Sequence, residues 1–189
     1  MKSSYDLFST PVWHLKGISQ ELVDKLYQGA YRFKKKYPST QMTNCGGYQS
    51  PAFESKEFHP KGIEYIQSAV KENLAKENST DSPLDALTLS PNVDFKIESW
   101  WYNINSQSHW NTPHTHPGSD LALVLYLTDS DGLLTLFNPH AQRGISSHNA
   151  SFNAQKGDIV LFPADLMHYV MPNPREEDRI SISMNLQLC

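Results

Sequence analysis

Cysteine is scarce in this 189-residue chain, with Cys45 and the C-terminal Cys189 as its two representatives. Two cysteines cannot make a disulfide framework, so the sequence reads as a reduced, cytoplasmic chain. Long hydrophobic runs are missing too. The longest, Leu121 to Leu127, is far too short to span a bilayer, and Met1-Lys2-Ser3-Ser4-Tyr5-Asp6 leads into no apolar segment of a secretory signal, so no membrane partner is expected. There is no excess of basic charge: 16 Lys and Arg stand against 20 Asp and Glu, which disfavours nucleic acid as a partner. Internal repeats and low-complexity tracts are absent, and 39% hydrophobic with 11% aromatic residues is ordinary globular composition, which excludes disorder.

The two halves differ. Residues 1–90 carry eleven basic and ten acidic residues, residues 91–189 five and ten. The first half reads as mostly helical. Ser19 is an N-cap candidate before apolar residues at 22, 23, 26, 27, 30 and 33, a spacing that predicts a helix ending near Tyr37-Pro38. A second helix is predicted from Pro60 to about Asn78, with Ile63, Ile66, Val70 and Leu74 as its stripe. Lys34-Lys35-Lys36 reads as a solvated helix C-terminus beside the negative end of the dipole. Asn44 to Ser50 reads as a loop or irregular strand. Five β-prone segments follow: Val93–Ile104, Leu121–Leu127, Leu133–Phe137, Asp158–Phe162 and Arg179–Leu188. Closely spaced short strands predict a sandwich or small barrel, giving one domain over 1–189 in which 1–90 supports a core built from 91–189.

Histidine is what the chain has in surplus: six of its eight lie beyond residue 100. His114 and His116, at i and i+2 of Thr112-Pro113-His114-Thr115-His116-Pro117, leave the same face of an extended segment, close enough to share one metal ion. His168 follows the strand Gly157-Asp158-Ile159-Val160-Leu161-Phe162-Pro163 and is the third candidate ligand. Imidazole alone does not choose among Fe, Zn, Cu and Ni. His109 competes as a ligand but reads as pocket rim or surface, and His14, His59, His140 and His148 read as partnerless and solvent-facing. The last strand alternates strictly, with Arg179, Ser181, Ser183, Asn185 and Gln187 on one face and Ile180, Ile182, Met184 and Leu186 on the other. If the apolar face packs under the helices, Arg179 lines the barrel and needs an anion, which a carboxylate supplies with Ser181 as a further donor. The competing reading is an edge strand with Arg179 paired to Glu176, Glu177 or Asp178 on the surface.

His114-Thr115-His116, then His168, then Arg179-Ile180-Ser181 resembles the Fe(II)/2-oxoglutarate-dependent oxygenases, whose usual pattern is His-x-Asp/Glu, a distal His, and an Arg about ten residues later with Ser or Thr two beyond. Gly46-Gly47-Tyr48-Gln49-Ser50, Tyr102-Asn103-Ile104-Asn105, His114 to Ser119 and Gly157 to Pro163 resemble, more narrowly, a group of such oxygenases from marine bacteria and their phages. The resemblance covers roughly residues 5–188. It implies a mainly β, α+β fold with a double-stranded β-helix (jelly-roll, cupin-like) core and flanking helices, with iron held by His114, His116 and His168. It also implies 2-oxoglutarate held by the iron and Arg179 with Ser181. On this reading Asn103, Asn105 and Tyr126 are inner-face groups near the metal or cosubstrate, Tyr126 being equally readable as core. Trp100, Trp101 and Trp110, with Asn111 and Gln107, are candidates for the mouth. One departure stands out: His116 occupies the place of the usual carboxylate, so either three histidines bind the metal or Asp120 replaces His116. The implied activity is a dioxygenase that hydroxylates a peptidyl or small organic substrate with O2, releasing succinate and CO2. A cupin-type metalloprotein that uses no 2-oxoglutarate, or a non-catalytic jelly-roll binding module, are the alternatives. Oligomeric state is open, and a homodimer is allowed.

Overall fold

The computed structural model describes residues 10–16, 18–57, 60–77, 94–131, 133–139 and 149–189. Two antiparallel sheets face each other. The larger takes its strands in the order β1 (Trp13–Leu15), β10 (Ile159–Pro163), β7 (Leu121–Tyr126), β12 (Arg179–Leu188), β5 (Phe95–Asn105) and β3 (Tyr48–Gln49), with β4 (Phe53–Glu54) also paired to β5. The smaller runs β2 (Asn44–Cys45), β6 (Trp110–His114), β11 (His168–Val170), β8 (Leu134–Leu136) and β9 (Ala150–Phe152). This is the expected mainly β, double-stranded β-helix arrangement with helices outside it. The last strand is not an edge: β12 lies between β7 and β5, with Ile182 opposite both Leu125 and Tyr102.

Helix α1 (Gln20–Lys36) starts where Ser19 Oγ accepts the Leu22 N–H and stops at Tyr37, whose backbone turns extended before Pro38. Lys34, Lys35 and Lys36 fill its last, exposed turn. Helix α2 (Pro60–Glu77) contributes Ile66 and Val70; the side chains of Ile63 and Leu74 lie outside the described set. One core packs the helices on the outer face of the large sheet, joining Val23, Leu26 and Ala30 to Leu123, Leu125, Ile180, Ile182 and Met184. Gly29 permits this closeness: a Cβ there would stand 2.7 Å from the Tyr102 hydroxyl, which donates to the Leu26 carbonyl at 3.0 Å. The second core lies between the sheets, where Ala122, Val124 and Tyr126 meet Leu134, Leu136 and Phe162. Strand β7 therefore sends odd-numbered residues outward to the helices and even-numbered ones inward.

The first half is less purely helical than its sequence reads. It adds four short strands, β1 to the far side of the large sheet and β2 to β4 around β5 and β6. His14 is half-buried and hydrogen-bonded to the buried Asp158 at 2.8 Å, not partnerless in solvent, because β1 pairs with β10 beside the turn carrying Asp158. His59, His140 and His148 fall outside the described residues.

Candidate metal and cosubstrate site

Three imidazoles meet at one end of the space between the sheets. His168 stands directly opposite His114 in the antiparallel β11–β6 ladder, and their ring centroids are 4.2 Å apart. His116 lies just past β6 and is fixed by its own N–H, which donates to the Ala164 carbonyl at 2.7 Å; its ring is 5.4 Å from His114 and 5.1 Å from His168. One nitrogen from each ring falls within 4.8 Å of the others. Each Nδ1–H donates away from this centre: His114 to the Thr112 carbonyl at 2.7 Å, His116 to Asn185 Oδ1 at 2.6 Å, His168 to the Leu166 carbonyl at 2.8 Å. With every Nδ1 so engaged, the three Nε2 lone pairs are left free to face one another.

Burial sets the protonation state. It pushes all three imidazoles below the usual histidine value, His168 to about 3, with neighbouring imidazoles adding to the effect on His116 and His168. The triad is therefore neutral at pH 7, the form that binds metal. Among the described residues no carboxylate joins the group. Asp120, the alternative to His116, is exposed, and its carboxylate accepts from the Leu188 N–H at 2.8 Å and from the Gln187 amide. Strand β12 holds it on the outside, away from the imidazoles.

A cavity runs inward from the triad, walled by Asn103, Asn105, Tyr126, Arg179, Ser181 and Ser183. Arg179 is 5% exposed, and neither terminal guanidinium nitrogen has a hydrogen-bond partner among the described residues. Burial lowers its pKa to about 10, which leaves it charged at neutral pH. A buried cation without a counter-charge is costly, and a cavity containing one is matched to an anion. The fully buried Tyr126 hydroxyl beside it is likewise without a partner. Asn103 donates to Ser183 Oγ at 3.0 Å and Asn105 to Asn111 Oδ1 at 2.8 Å, while the side-chain oxygens Oδ1 of Asn103 and Asn105 have no donor among the described residues. All five non-histidine residues picked out on the polar faces of β5, β7 and β12 thus line one space.

The remaining candidates separate. Trp101 stacks on His116 with centroids 5.5 Å apart, whereas Trp100 lies in the outer core against Phe33 and Phe53. Asn111 is buried and donates to Thr43 Oγ1 at 3.1 Å; Gln107 is an exposed turn residue, and Trp110 lines neither cavity beside the triad. His109 stays outside the triad, its ring packed where a Cβ on Gly46 would be, 2.5 Å from Cδ2, at a backbone φ of +78°. The sequence reading gave Asn185 and Gln49 no role. Asn185 was visible as a polar-face residue of β12, but its bond to His116 crosses 69 positions that no local pattern links.

Residues 99–185 match the family model described as "Putative 2OG-Fe(II) oxygenase". No curated protein matches this chain by sequence. Among solved structures, a prolyl-4-hydroxylase of Pseudomonas putida is similar at 14% identity with a TM-score of 0.63, over 95% of this chain and 93% of that one. A viral collagen prolyl hydroxylase of Paramecium bursaria Chlorella virus 1, solved with 2-oxoglutarate, is similar at 15% identity with a TM-score of 0.59, over 93% of this chain and 94% of that one. HygX of Streptomyces hygroscopicus, solved with nickel and 2-oxoglutarate, is similar at 12% identity with a TM-score of 0.61, over 94% of this chain and 83% of that one. At these identities the structures establish the shared fold.

Proposed function

We propose that this chain, whose residues 99–185 match the 2-oxoglutarate/Fe(II) oxygenase family model, is a dioxygenase holding iron on His114, His116 and His168 and 2-oxoglutarate on Arg179. In this reaction 2-oxoglutarate, O2 and an organic substrate give succinate, CO2 and the hydroxylated product. The observation that carries the reading is the pair of orphaned Arg179 nitrogens in the cavity that opens onto the triad.

Fe(II) supplies the binding and activation of O2 and the chelation of the 2-oxo acid. The chain supplies everything else. Three neutral imidazoles leave the metal its full dipositive charge, and Arg179 adds another, so the cavity is matched to a dianion. The planar guanidinium takes the far carboxylate in bidentate fashion, Ser181 stands two residues along the same face of β12, and the Tyr126 hydroxyl is a further donor. The apolar walls, Val124, Leu134 and Val170, exclude bulk water from the reacting end.

Two measurements test this. Succinate and CO2 are to be followed in wild type and in Arg179→Ala supplied with Fe(II) and 2-oxoglutarate; no turnover in wild type, or unchanged 2-oxoglutarate binding in the variant, overturns the reading. Anaerobic Fe(II) titration of His168→Ala tests the ligand set, and unchanged iron affinity rejects it.

A further inference from the structure

A second pocket adjoins the triad on the solvent side. It shares Thr43, Trp101, His114 and His116 with the inner cavity but is otherwise walled by residues around β3, by the His116 loop and by Asn185 of β12, and its volume is about 300 Å³. That size lies at the small end of ligand sites, enough for one side-chain-sized group with its flanking polar atoms.

Apart from the two histidines, no ionisable side chain lines it. Neither a carboxylate nor an ammonium group would find an ion-pairing side chain in these walls, and an ammonium would also lie beside the cationic metal centre. Met42 stands at the lip, 75% exposed, an apolar side chain that a bound group would cover. Its backbone is fixed there, the N–H donating to Asn44 Oδ1 at 3.1 Å while Asn44 Nδ2 donates to the Gly47 carbonyl at 2.7 Å. Trp101 forms an aromatic wall against His116.

Two amide side chains line the pocket: the Asn185 oxygen already accepts from His116, and Gln49 is the one with an unsatisfied oxygen. Its backbone is fully engaged, the N–H donating to Ser39 Oγ at 3.1 Å and the carbonyl accepting from the Thr40 N–H at 2.8 Å. Its side chain is different: the residue is 7% exposed, lines the pocket, and its amide oxygen has no donor among the described residues. A buried amide left unsatisfied costs stability unless something completes it. Rotation about its terminal torsion exchanges the oxygen and nitrogen ends, so this one side chain meets either half of another amide.

We propose that this pocket binds the substrate through an uncharged amide group paired with Gln49, with an apolar portion against Met42 and Trp101. The inference deepens the oxygenase reading, and rests on it for the role of the bound molecule. It makes Gln49 a specificity residue and excludes ammonium- and carboxylate-bearing groups from this position.

The test is ligand-observed NMR titration of the protein loaded with Zn(II) and 2-oxoglutarate, a pair that cannot turn over. The probes are N-acetyl-leucine N-methylamide, its anionic counterpart N-acetyl-leucine, and its cationic counterpart leucine N-methylamide. The neutral amide should bind at least ten-fold more tightly than either charged probe. Gln49→Leu should weaken it about ten-fold, the loss of one buried hydrogen bond, while the affinities for Zn(II) and 2-oxoglutarate stay unchanged. Gln49→Asn, which keeps the amide, should bind between the two. Equal or tighter binding of a charged probe, no binding of the neutral one, or an unaffected Gln49→Leu variant overturns the proposal. Zn(II) and 2-oxoglutarate binding without amide binding rejects this pocket alone. Amide binding that needs Gln49 in a protein that takes up neither metal nor 2-oxoglutarate sustains the pocket and rejects the oxygenase reading.

Discussion

His116 and Asn185 are joined by a 2.6 Å hydrogen bond across 69 positions of sequence, the imidazole Nδ1–H donating to the amide oxygen. The bond comes from β12 reaching the mouth of the cavity with its polar face inward, and it fixes both tautomer and ring orientation of His116. His114 and His168 are oriented by backbone carbonyls, which no substitution removes. His116 alone depends on a side chain.

Asn185→Leu should therefore lower metal affinity by about 10- to 100-fold, in the range found when such supporting partners are removed. The fold should remain, since Ile182, Met184 and Leu186 on the other face of β12 are untouched. Anaerobic Fe(II) titration with circular dichroism as the folding control reads both; unchanged affinity would make the bond incidental.

Arg179→Met should separate stability from function. Removing an unpaired buried cation in favour of an apolar chain of similar length should stabilise the ligand-free protein by roughly 1 kcal/mol or more. The same change should abolish the stabilisation by 2-oxoglutarate, which for a ligand at about a hundred times its Kd amounts to about 2.7 kcal/mol in wild type. Urea unfolding with and without 2-oxoglutarate, metal present, measures both. A variant less stable without ligand would show that Arg179 has a structural partner.

The triad makes the metal-free protein acid-sensitive in a defined window. His168 takes up its proton near pH 6.5 when unfolded but only near 3 when folded, because burial opposes the charge. Below pH 6.5 the unfolded state binds more protons, so stability falls with pH at up to about 1.4 kcal/mol per unit from this one group and is unaffected above it. His114 and His116 shift in the same direction. Unfolding midpoints of wild type and His168→Leu between pH 4 and 8 should diverge below 6.5; parallel curves would contradict the burial argument.

Gly47→Ala should cost about 1–3 kcal/mol through overpacking. An added Cβ would lie 2.0 Å from Asn105 Oδ1 and 3.2 Å from the Ile104 carbonyl, at a position with no positive φ, so the restriction is steric alone. Because Asn105 donates to Asn111, 2-oxoglutarate affinity should fall together with thermal stability. Thermal unfolding and equilibrium binding decide it, and a fall in neither would mean that Asn105 moves aside freely.

Much of the site was legible because its signals are local. The His-x-His spacing puts two imidazoles on one side of an extended segment, and the strict alternation from Arg179 to Leu188 separates cavity-facing from helix-facing residues without reference to any other strand. The cap at Ser19 and the stop before Pro38 bounded α1 for the same reason. Strands β1, β4, β6, β9 and β11 escaped because they are short and irregular in pattern, stabilised by their ladder partners rather than by propensity. His14 was misread for the same cause: its partner Asp158 is 144 positions away.

The sequence by itself determined the donor chemistry: which residues are imidazoles, that an arginine lies on the polar face of the last strand, and that few other basic residues share its half of the chain. Those are properties of residue type and of period-two geometry, both fixed before folding. Tertiary structure alone decided which of His116 and Asp120 joins the other two imidazoles. Both follow β6 within a few residues, but the Asp120 carboxylate is held by the Leu188 N–H and Gln187 at the outer end of β12, while the Ala164 carbonyl and Asn185 turn His116 inward. Which of two nearby side chains faces a metal depends on partners far away in sequence, and those partners exist only once the sheets have closed.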